Sequence, residues 1–339
     1  MLNLEDLRLP LVAAPMAGGP STPELVAAAG RVGALGFLAG GYLSAETLAA
    51  RILRTRELSD APFGVNLFVP APRQRTTVAP EVLAYRRELE ADAHRRGVEL
   101  PDPDPADRDD YNEKIALLLD DPVAVVSFTF GLPDPETVRR LQGVGTHVAI
   151  TVTELPEALA AAAGGADSLV VQGSGAGGHR GTHLVTAIPD ATPLLELVRT
   201  IVASVGRPVI AAGGVADGRD VAALLDAGAS AVAVGTLLLR TAESGAPAAH
   251  KDALAIGGET RVTRAFSGRL ARALVNRFVR EHDADAPAFY PEVNQLTRPL
   301  RAAASGSGDA DGLALWAGTG FASARAVGAD EVLLGLQQG

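Results

Sequence analysis

The chain has 339 residues, is 47% hydrophobic and 21% charged, and carries a formal net charge of −10. That balance suits one large barrel or two domains, and the acidity argues against non-specific nucleic-acid binding and against an anionic membrane surface, although a local basic pocket remains compatible. The chain contains no cysteine, which excludes disulfides, thiolate nucleophiles and cysteine-ligated zinc or iron–sulfur centres.

MLNLEDLRLP at the N-terminus has no basic region followed by an apolar core, and no apolar run approaches a membrane span; a cytoplasmic protein is expected. Leu11 to Met16 (LVAAPM) is a first apolar strand that stops at Pro15–Met16 and Gly18–Gly19. Ser21 offers an N-cap, and the helix it opens is expected to end at Gly30. Gly33–Gly40 is a second strand, and Ser44 caps a helix through about Arg56. Phe63–Phe68 (FGVNLF) is a third strand that carries one polar residue, Asn66. The rhythm then breaks. Residues 78 to 121 are longer, charged and interrupted by PDPDP at Pro101–Pro105; helices over Pro80–Arg96 and Arg108–Leu119 fit a rim insertion.

Alternation resumes with strands at Val123–Phe130, His147–Val152 and Ser168–Gln172, and helices at Pro135–Leu141 and about Leu155–Ala163. A helix near Pro193–Val205, a strand at Pro208–Gly214, a helix at Gly218–Ala227 and a strand at Ala231–Thr236 complete the series. These short apolar strands do not alternate with polar residues, so both faces are covered, and repeated strand–helix units imply a parallel sheet. Eight units point to an α/β protein of the (β/α)₈ TIM-barrel type, with its site at the C-terminal strand ends; an open doubly wound sheet is the alternative. Met16, Asn66, Gln172, Gly214 and Thr236 all fall at those ends.

After about Ala246 the rhythm is lost. Residues 1–245 are read as the barrel, 246–320 as a small substrate or lid domain, and 321–339 as a C-terminal helix returning to the barrel. Thr260–Phe278 is expected to start as strand and continue as a basic amphipathic helix, Ser305–Gly312 to be a polar linker, and a last helix to begin near Ser323.

The sixth strand runs into SGAGGHRGT, where Gly173, Gly175, Gly177, Gly178 and Gly181 leave His179 and Arg180 on nearly bare backbone. Glycine lets backbone approach a ligand closely, so an imidazole there suits chemistry; the alternative is a solvent-exposed glycine loop. The last two barrel strands end in Gly213–Gly214 and Gly235–Thr236. Loops after strands seven and eight of such barrels commonly bind phosphate through backbone amides, although such glycines also serve as tight turns. No G-x-G-x-x-G opens the first helix with an acidic partner at the proper spacing, so a mononucleotide such as FMN fits better than a dinucleotide.

Several motifs together resemble the nitronate monooxygenases, in particular bacterial class I: APMAGG at Ala14–Gly19, GVNLF at Gly64–Phe68, AGGHRG at Ala176–Gly181, AAGGV at Ala211–Val215, VGT at Val234–Thr236, YPEVNQLTRPLR at Tyr290–Arg301 and LWAG at Leu315–Gly318. The resemblance implies an FMN-bearing barrel in which Ala14, Pro15 and Met16 line the flavin, Asn66 and Gln172 hydrogen-bond it, and Gly177 and Gly178 approach it. Gly213, Gly214, Ala233, Val234, Gly235 and Thr236 would hold the phosphate, and His179 would be the catalytic base. The family usually has a glutamate where Gly175 stands. The implied reaction is oxidation of an alkyl nitronate such as propionate 3-nitronate by O₂, with His179 taking the C–H proton of a neutral nitroalkane.

Tyr290, Arg298 and Arg301 are candidates for a substrate carboxylate, with a tail salt bridge the alternative. His183 is read as structural or solvent-facing, with lining of the mouth the alternative, Trp316 as tail packing, with substrate contact the alternative, His147 as lying at the opposite barrel end, and His94, His250 and His282 as exposed. No cluster has metal-ligand spacing. Competing readings are an NAD(P)H-dependent flavin reductase of the same superfamily, acting on quinones or enoyl thioesters, and a non-catalytic flavin- or phosphate-binding barrel.

Overall fold

The computed structural model describes residues 2–71, 76–189 and 191–337. The chain begins with β1 (Leu11–Ala13), α1 (Pro23–Val32), β2 (Leu35–Ala39), α2 (Ala45–Leu58) and β3 (Phe63–Phe68). The insertion carries α3 (Pro80–Glu88), α4 (Glu90–Arg96) and α5 (Tyr111–Asp120). Then come β4 (Val125–Thr129), α6 (Pro135–Gly143), β5 (His147–Val152), α7 (Leu155–Ala163), β6 (Ser168–Gln172) and a two-residue strand β7 (Gly178–His179). They are followed by α8 (Leu194–Ser204), β8 (Val209–Ala212), α9 (Gly218–Asp226) and β9 (Ala231–Val234). The tail contains α10 (Ala248–Ile256), β10 (Thr260–Thr263), β11 (Ala271–Leu274), α11 (Arg277–His282), α12 (Glu292–Ser307) and α13 (Ala329–Gly335).

Eight parallel strands close into a barrel in the order β1-β2-β3-β4-β5-β6-β8-β9, with Leu11 opposite Val232 at the closure. The strands are buried almost throughout, because one face fills the barrel and the other meets the helices. Inside, Val12, Leu35, Phe37, Val125, Ala149 and Ile210 pack together. Phe37 fits there because residue 64 is glycine: a Cβ at Gly64 would lie 2.6 Å from Phe37 Cδ1. Each Val, Leu, Ile or Phe so buried contributes about 1.5–3 kcal/mol.

The insertion and the tail share a second core. Val82, Tyr85 and Leu89 from the insertion pack against Phe266, Phe278, Val293, Leu296 and Leu300 from the tail, with Phe266 and Phe278 stacked at 4.6 Å. Buried Asp92 of α4 ties the same layers, bonding His282 at 2.6 Å and Arg277 at 3.0 Å. Burial alone would raise its pKa, but these partners and Arg95 hold the carboxyl below the usual range. At the far end, α13 places Val332 and Leu333 in the main core beside α1 residues. Among the described residues, no helix is long and apolar enough to cross a membrane.

Several local expectations are corrected. α1 is capped by Thr22, not Ser21, and continues past Gly30 to a left-handed Gly33; Ser21 Oγ instead accepts from Met16 N at 2.9 Å and shapes the loop after β1. The expected Pro80–Arg96 helix divides at Leu89, and α5 starts at Tyr111, not Arg108. The expected basic helix before Phe278 is a tight turn followed by β11, because Gly268 (φ +78°) turns the chain directly against the Phe289 backbone. The expected Ser305–Gly312 linker is largely ordered: α12 runs to Ser307, Gly308 caps it in the left-handed region, and a 3₁₀ turn spans Ala310–Gly312. The last helix begins at Ala329, after a 3₁₀ turn at Phe321–Ser323. His250 and His282 are buried.

Candidate active site

The C-terminal ends of the barrel strands open into a cavity of about 640 Å³. Ala14, Pro15, Met16, Asn66, Gln172, Gly177, Gly178, His179, Gly213, Gly214, Ala233, Val234, Gly235 and Thr236 all line it, as do Arg298 and Arg301 from α12. Tyr290 lies behind the wall, its ring 5.6 Å from that of Phe130, a lining residue.

The glycine loop after β6 is held in place by its own side chains. Gln172 Nε2 donates to the His179 carbonyl at 3.0 Å, while its Oε1 accepts from Gly181 N at 2.8 Å. The buried Arg180 guanidinium donates to the carbonyls of Gly173 and Gln172, and Arg272 Nε donates to the Ser174 carbonyl at 3.1 Å. Gln172 therefore clamps the loop from the cavity wall. Asn66 Nδ2 donates to Ser127 Oγ and Thr129 Oγ1, leaving Oδ1 to accept from a ligand.

The tail completes the rim beside β8 and β9. Gly318 N donates to Thr236 Oγ1 and Thr319 N to the Gly175 carbonyl, each at 2.9 Å. A Cβ at Gly177 would stand 2.7 Å from the Ala317 carbonyl carbon, and one at Gly175 would stand 2.8 Å from Thr319 Oγ1. A side chain at residue 175 would therefore collide with Thr319. Gly213 (φ +112°) and Gly214 (φ +77°) keep left-handed backbone directly under that segment, a conformation side-chain-bearing residues resist. The first N–H groups of the 3₁₀ turn Thr236–Leu238 have no preceding carbonyl within that turn to bond.

At the opposite wall His179 is enclosed by rings, with Trp316 at 5.2 Å and Phe130 at 5.7 Å. Its Nε2 shares a hydrogen bond of 2.8 Å with the Ser267 hydroxyl. Burial, then the charges of Arg269 and Arg301, lower its pKa to about 3, so the imidazole is neutral at physiological pH. Arg269 lies 4.0 Å over the Phe130 ring and donates to the Thr182 carbonyl. Arg301 Nη2 donates to Asn294 Oδ1 at 2.7 Å and to the Asn294 carbonyl. No ion pair of Arg269, Arg298 or Arg301 with a carboxylate is found among the described residues, so this wall is electropositive, and burial lowers the pKa values of both Arg269 and Arg301.

Of the other histidines, His94 is exposed, and the rest bond to fixed protein partners. His147 bridges the Leu2 carbonyl and Ser168 Oγ at the barrel's closed end, and His183 contacts the Thr151 carbonyl at 3.0 Å. His250 bonds the Trp316 carbonyl at 3.0 Å and also lines the cavity. Asp92, Glu281 and His282 have compatible metal-ligand spacing, but Arg95 and Arg277 already engage Asp92 there. Sequence reasoning missed Ser267 and Arg269, which lie in the tail between β10 and β11 outside the strand–helix pattern, and Tyr42 and Phe130, which follow barrel strands β2 and β4 but are aromatic and not the glycine or polar residues read as marking strand ends.

A family model described as nitronate monooxygenase matches residues 3–338. The chain is 37% identical over 327 residues to a probable nitronate monooxygenase of Bacillus subtilis, covering 94% of this chain and 92% of that protein. It is 36% identical over 326 residues to one from Staphylococcus saprophyticus, covering 93% and 90%. A solved nitroalkane oxidase from Streptomyces ansochromogenes superposes with a TM-score of 0.93 at 48% identity, covering 98% of this chain and 96% of that one. FabK from Thermotoga maritima is more distant, with a TM-score of 0.75 at 26% identity and coverage of 98% and 93%. With the model matched across nearly all of its length, the chain belongs to the nitronate monooxygenase family.

Proposed function

We propose that the protein oxidises alkyl nitronates, including carboxylate-bearing ones of the propionate 3-nitronate type, with FMN as cofactor and O₂ as oxidant. The observation that carries this reading is one cavity joining a glycine-lined cradle to a neutral imidazole flanked by arginines that have no carboxylate partner among the described residues. The cradle fits a mononucleotide phosphate: Gly213 and Gly214 present bare left-handed backbone, and Thr236 adds a hydroxyl. Ala14 to Met16 and the free Oδ1 of Asn66 suit the ring end. The chemistry FMN supplies when bound is electron transfer from the nitronate carbon to O₂.

The chain's own residues bind and orient. Arg301 and Arg298 provide the positive charge an anion needs on entering a partly dry cavity. Phe130 and Trp316 hold the His179 ring and exclude water from it. An imidazole with a pKa of about 3 is a weak base, so it receives an already ionised nitronate more readily than it deprotonates a neutral nitroalkane. An anion beside Arg301 offsets that repulsion and raises its basicity. For a neutral nitroalkane, His179 accepts the proton from the carbon next to the nitro group while the C–H electron pair moves onto that group. The tail and insertion core above the strand ends serves as a lid.

The test loads the protein with riboflavin 5′-phosphate and mixes it anaerobically with propionate 3-nitronate or NADH. Loss of flavin absorbance with the nitronate supports the proposal; loss with NADH alone supports a reductase, and loss with neither supports a binding role. His179→Asn is expected to lower turnover of neutral nitroalkanes by on the order of 100-fold or more while affecting preformed nitronates much less. Equal losses on both would refute the proton-transfer role.

A further inference from the structure

We propose that Ser267 is a positioning residue that fixes the tautomer of His179, holding the proton on Nε2 and leaving Nδ1 as the nitrogen that accepts the substrate proton. This inference rests on the proposed role of His179. Ser267 is 1% exposed and lies 2.8 Å from His179 Nε2. Its hydroxyl also lies 3.3 Å from the Arg269 carbonyl oxygen and 3.3 Å from the Arg269 N–H. A serine hydroxyl donates one hydrogen bond and accepts two. The Arg269 N–H can only donate, and the Arg269 carbonyl can only accept. Ser267 therefore satisfies all three neighbours in one arrangement: it donates to the Arg269 carbonyl and accepts from the Arg269 amide and from His179 Nε2–H. Reversing the histidine bond would take the Ser267 proton and leave that carbonyl without it.

The surrounding structure keeps the hydroxyl in place. The Phe266 carbonyl accepts from Thr297 Oγ1, and the Ala265 carbonyl accepts from Tyr85 Oη at 2.7 Å. Gly268 N and Ser267 N both donate to the Arg264 carbonyl, closing the turn. Gly268 holds φ +78° against the Phe289 backbone, where a side chain has no room. Beyond the turn, β11 pairs with β7, placing Ala271 opposite His179, and Arg180 N donates to the Leu270 carbonyl at 2.7 Å. Backbone pairing and the side-chain bond thus set the ring and the serine together. No second hydrogen bond to the ring is found among the described residues, so Nδ1 is the nitrogen available to the cavity that His179 lines.

Nitrogen-15 NMR of histidine-labelled protein, with His179 assigned from the spectrum of His179→Asn, reads the tautomer directly and requires no turnover. The expected pattern is an N–H resonance for Nε2 and a bare-nitrogen resonance for Nδ1. Ser267→Ala is expected to mix the two tautomers, and Ser267→Thr, which keeps the hydroxyl, to restore the original pattern. In kinetics Ser267→Ala should lower kcat/KM for a neutral nitroalkane by on the order of 10-fold or more, with a clearly smaller loss on the preformed nitronate. A proton on Nδ1 in the parent protein overturns the proposal, as does an unchanged His179 pattern in Ser267→Ala. Absence of nitronate oxidation by the parent protein would instead refute the proposed activity, and the NMR pattern would still decide the tautomer.

Discussion

Gly177→Ala should damage the site through steric contact alone. A Cβ at residue 177 would meet Gly318 N most closely, and would lie 2.7 Å from the Ala317 carbonyl carbon and 2.9 Å from Thr236 Oγ1, whereas ordinary contact begins at 3.4 Å. Clearing the Ala317 carbonyl carbon alone takes 3.4 − 2.7 = 0.7 Å, and clearing the nearer Gly318 N takes more. A retreat of that size stretches the 2.9 Å bond from Gly318 N to Thr236 Oγ1 to about 3.6 Å, beyond useful range. The neighbouring bond from Thr319 N to the Gly175 carbonyl, also 2.9 Å, shifts with it. Two hydrogen bonds at about 1 kcal/mol each, with about 1 kcal/mol or more of overpacking, give a cost of about 3 kcal/mol. That corresponds to on the order of 100-fold weaker flavin binding, or a Tm lower by on the order of 6 °C. Gly143→Ala is the control, because a Cβ there has nothing within 4 Å, and this change should be neutral or slightly stabilising. The assay is a riboflavin 5′-phosphate titration alongside thermal melts. If Gly177→Ala binds and melts like the control, the tail–loop contact does not shape the cradle and the reasoning fails.

Other outcomes follow from buried charge. Arg301→Met should raise KM for propionate 3-nitronate by about 10- to 100-fold, the worth of a charge-assisted bond, and change KM for an uncharged-tail nitronate less; equal changes would remove Arg301 from carboxylate recognition. Burial lowers the pKa values of His147, His179 (to about 3) and His250 (to about 4). Their neutral folded forms contribute stability that is complete above the unfolded value near pH 6.5 and is lost as the pH falls toward the folded values. Each histidine should add a slope of up to about 1.4 kcal/mol per pH unit, so the cofactor-free protein's urea midpoint should drop measurably between pH 6.5 and 4.5; a flat profile would contradict their burial. Asp92→Asn should cost about 3 kcal/mol, because Arg277 and Arg95 then lose a buried carboxylate. The Asp92 contribution is present above about pH 4 and disappears at more acid pH, so denaturation curves of the parent and variant should converge there.

The eight barrel strands were legible because each is a short apolar run bounded by glycine, proline or a cap, and covering both faces of a parallel sheet requires that pattern. Asn66, Gln172, Gly214 and Thr236 stood out for the same reason, as polar or glycine residues ending apolar strands. The His179 loop was legible from its glycines. Beyond Ala246 there is no repeated unit, and local composition misled: arginine spacing suggested a helix where Gly268 forces a turn, and a Ser–Gly stretch suggested a linker where α12 continues. His250 and His282 looked exposed because their partners, the Trp316 carbonyl and Asp92, are 66 and 190 residues away.

Strand periodicity and glycine placement by themselves determined the barrel and the end of it that carries the cavity, since both depend on near neighbours in the chain. Only tertiary structure decided what surrounds His179. Ser267, Arg269 and Arg301 reach it from the tail, and the positive field and fixed hydrogen-bond partner they create depend on distances that no local pattern encodes.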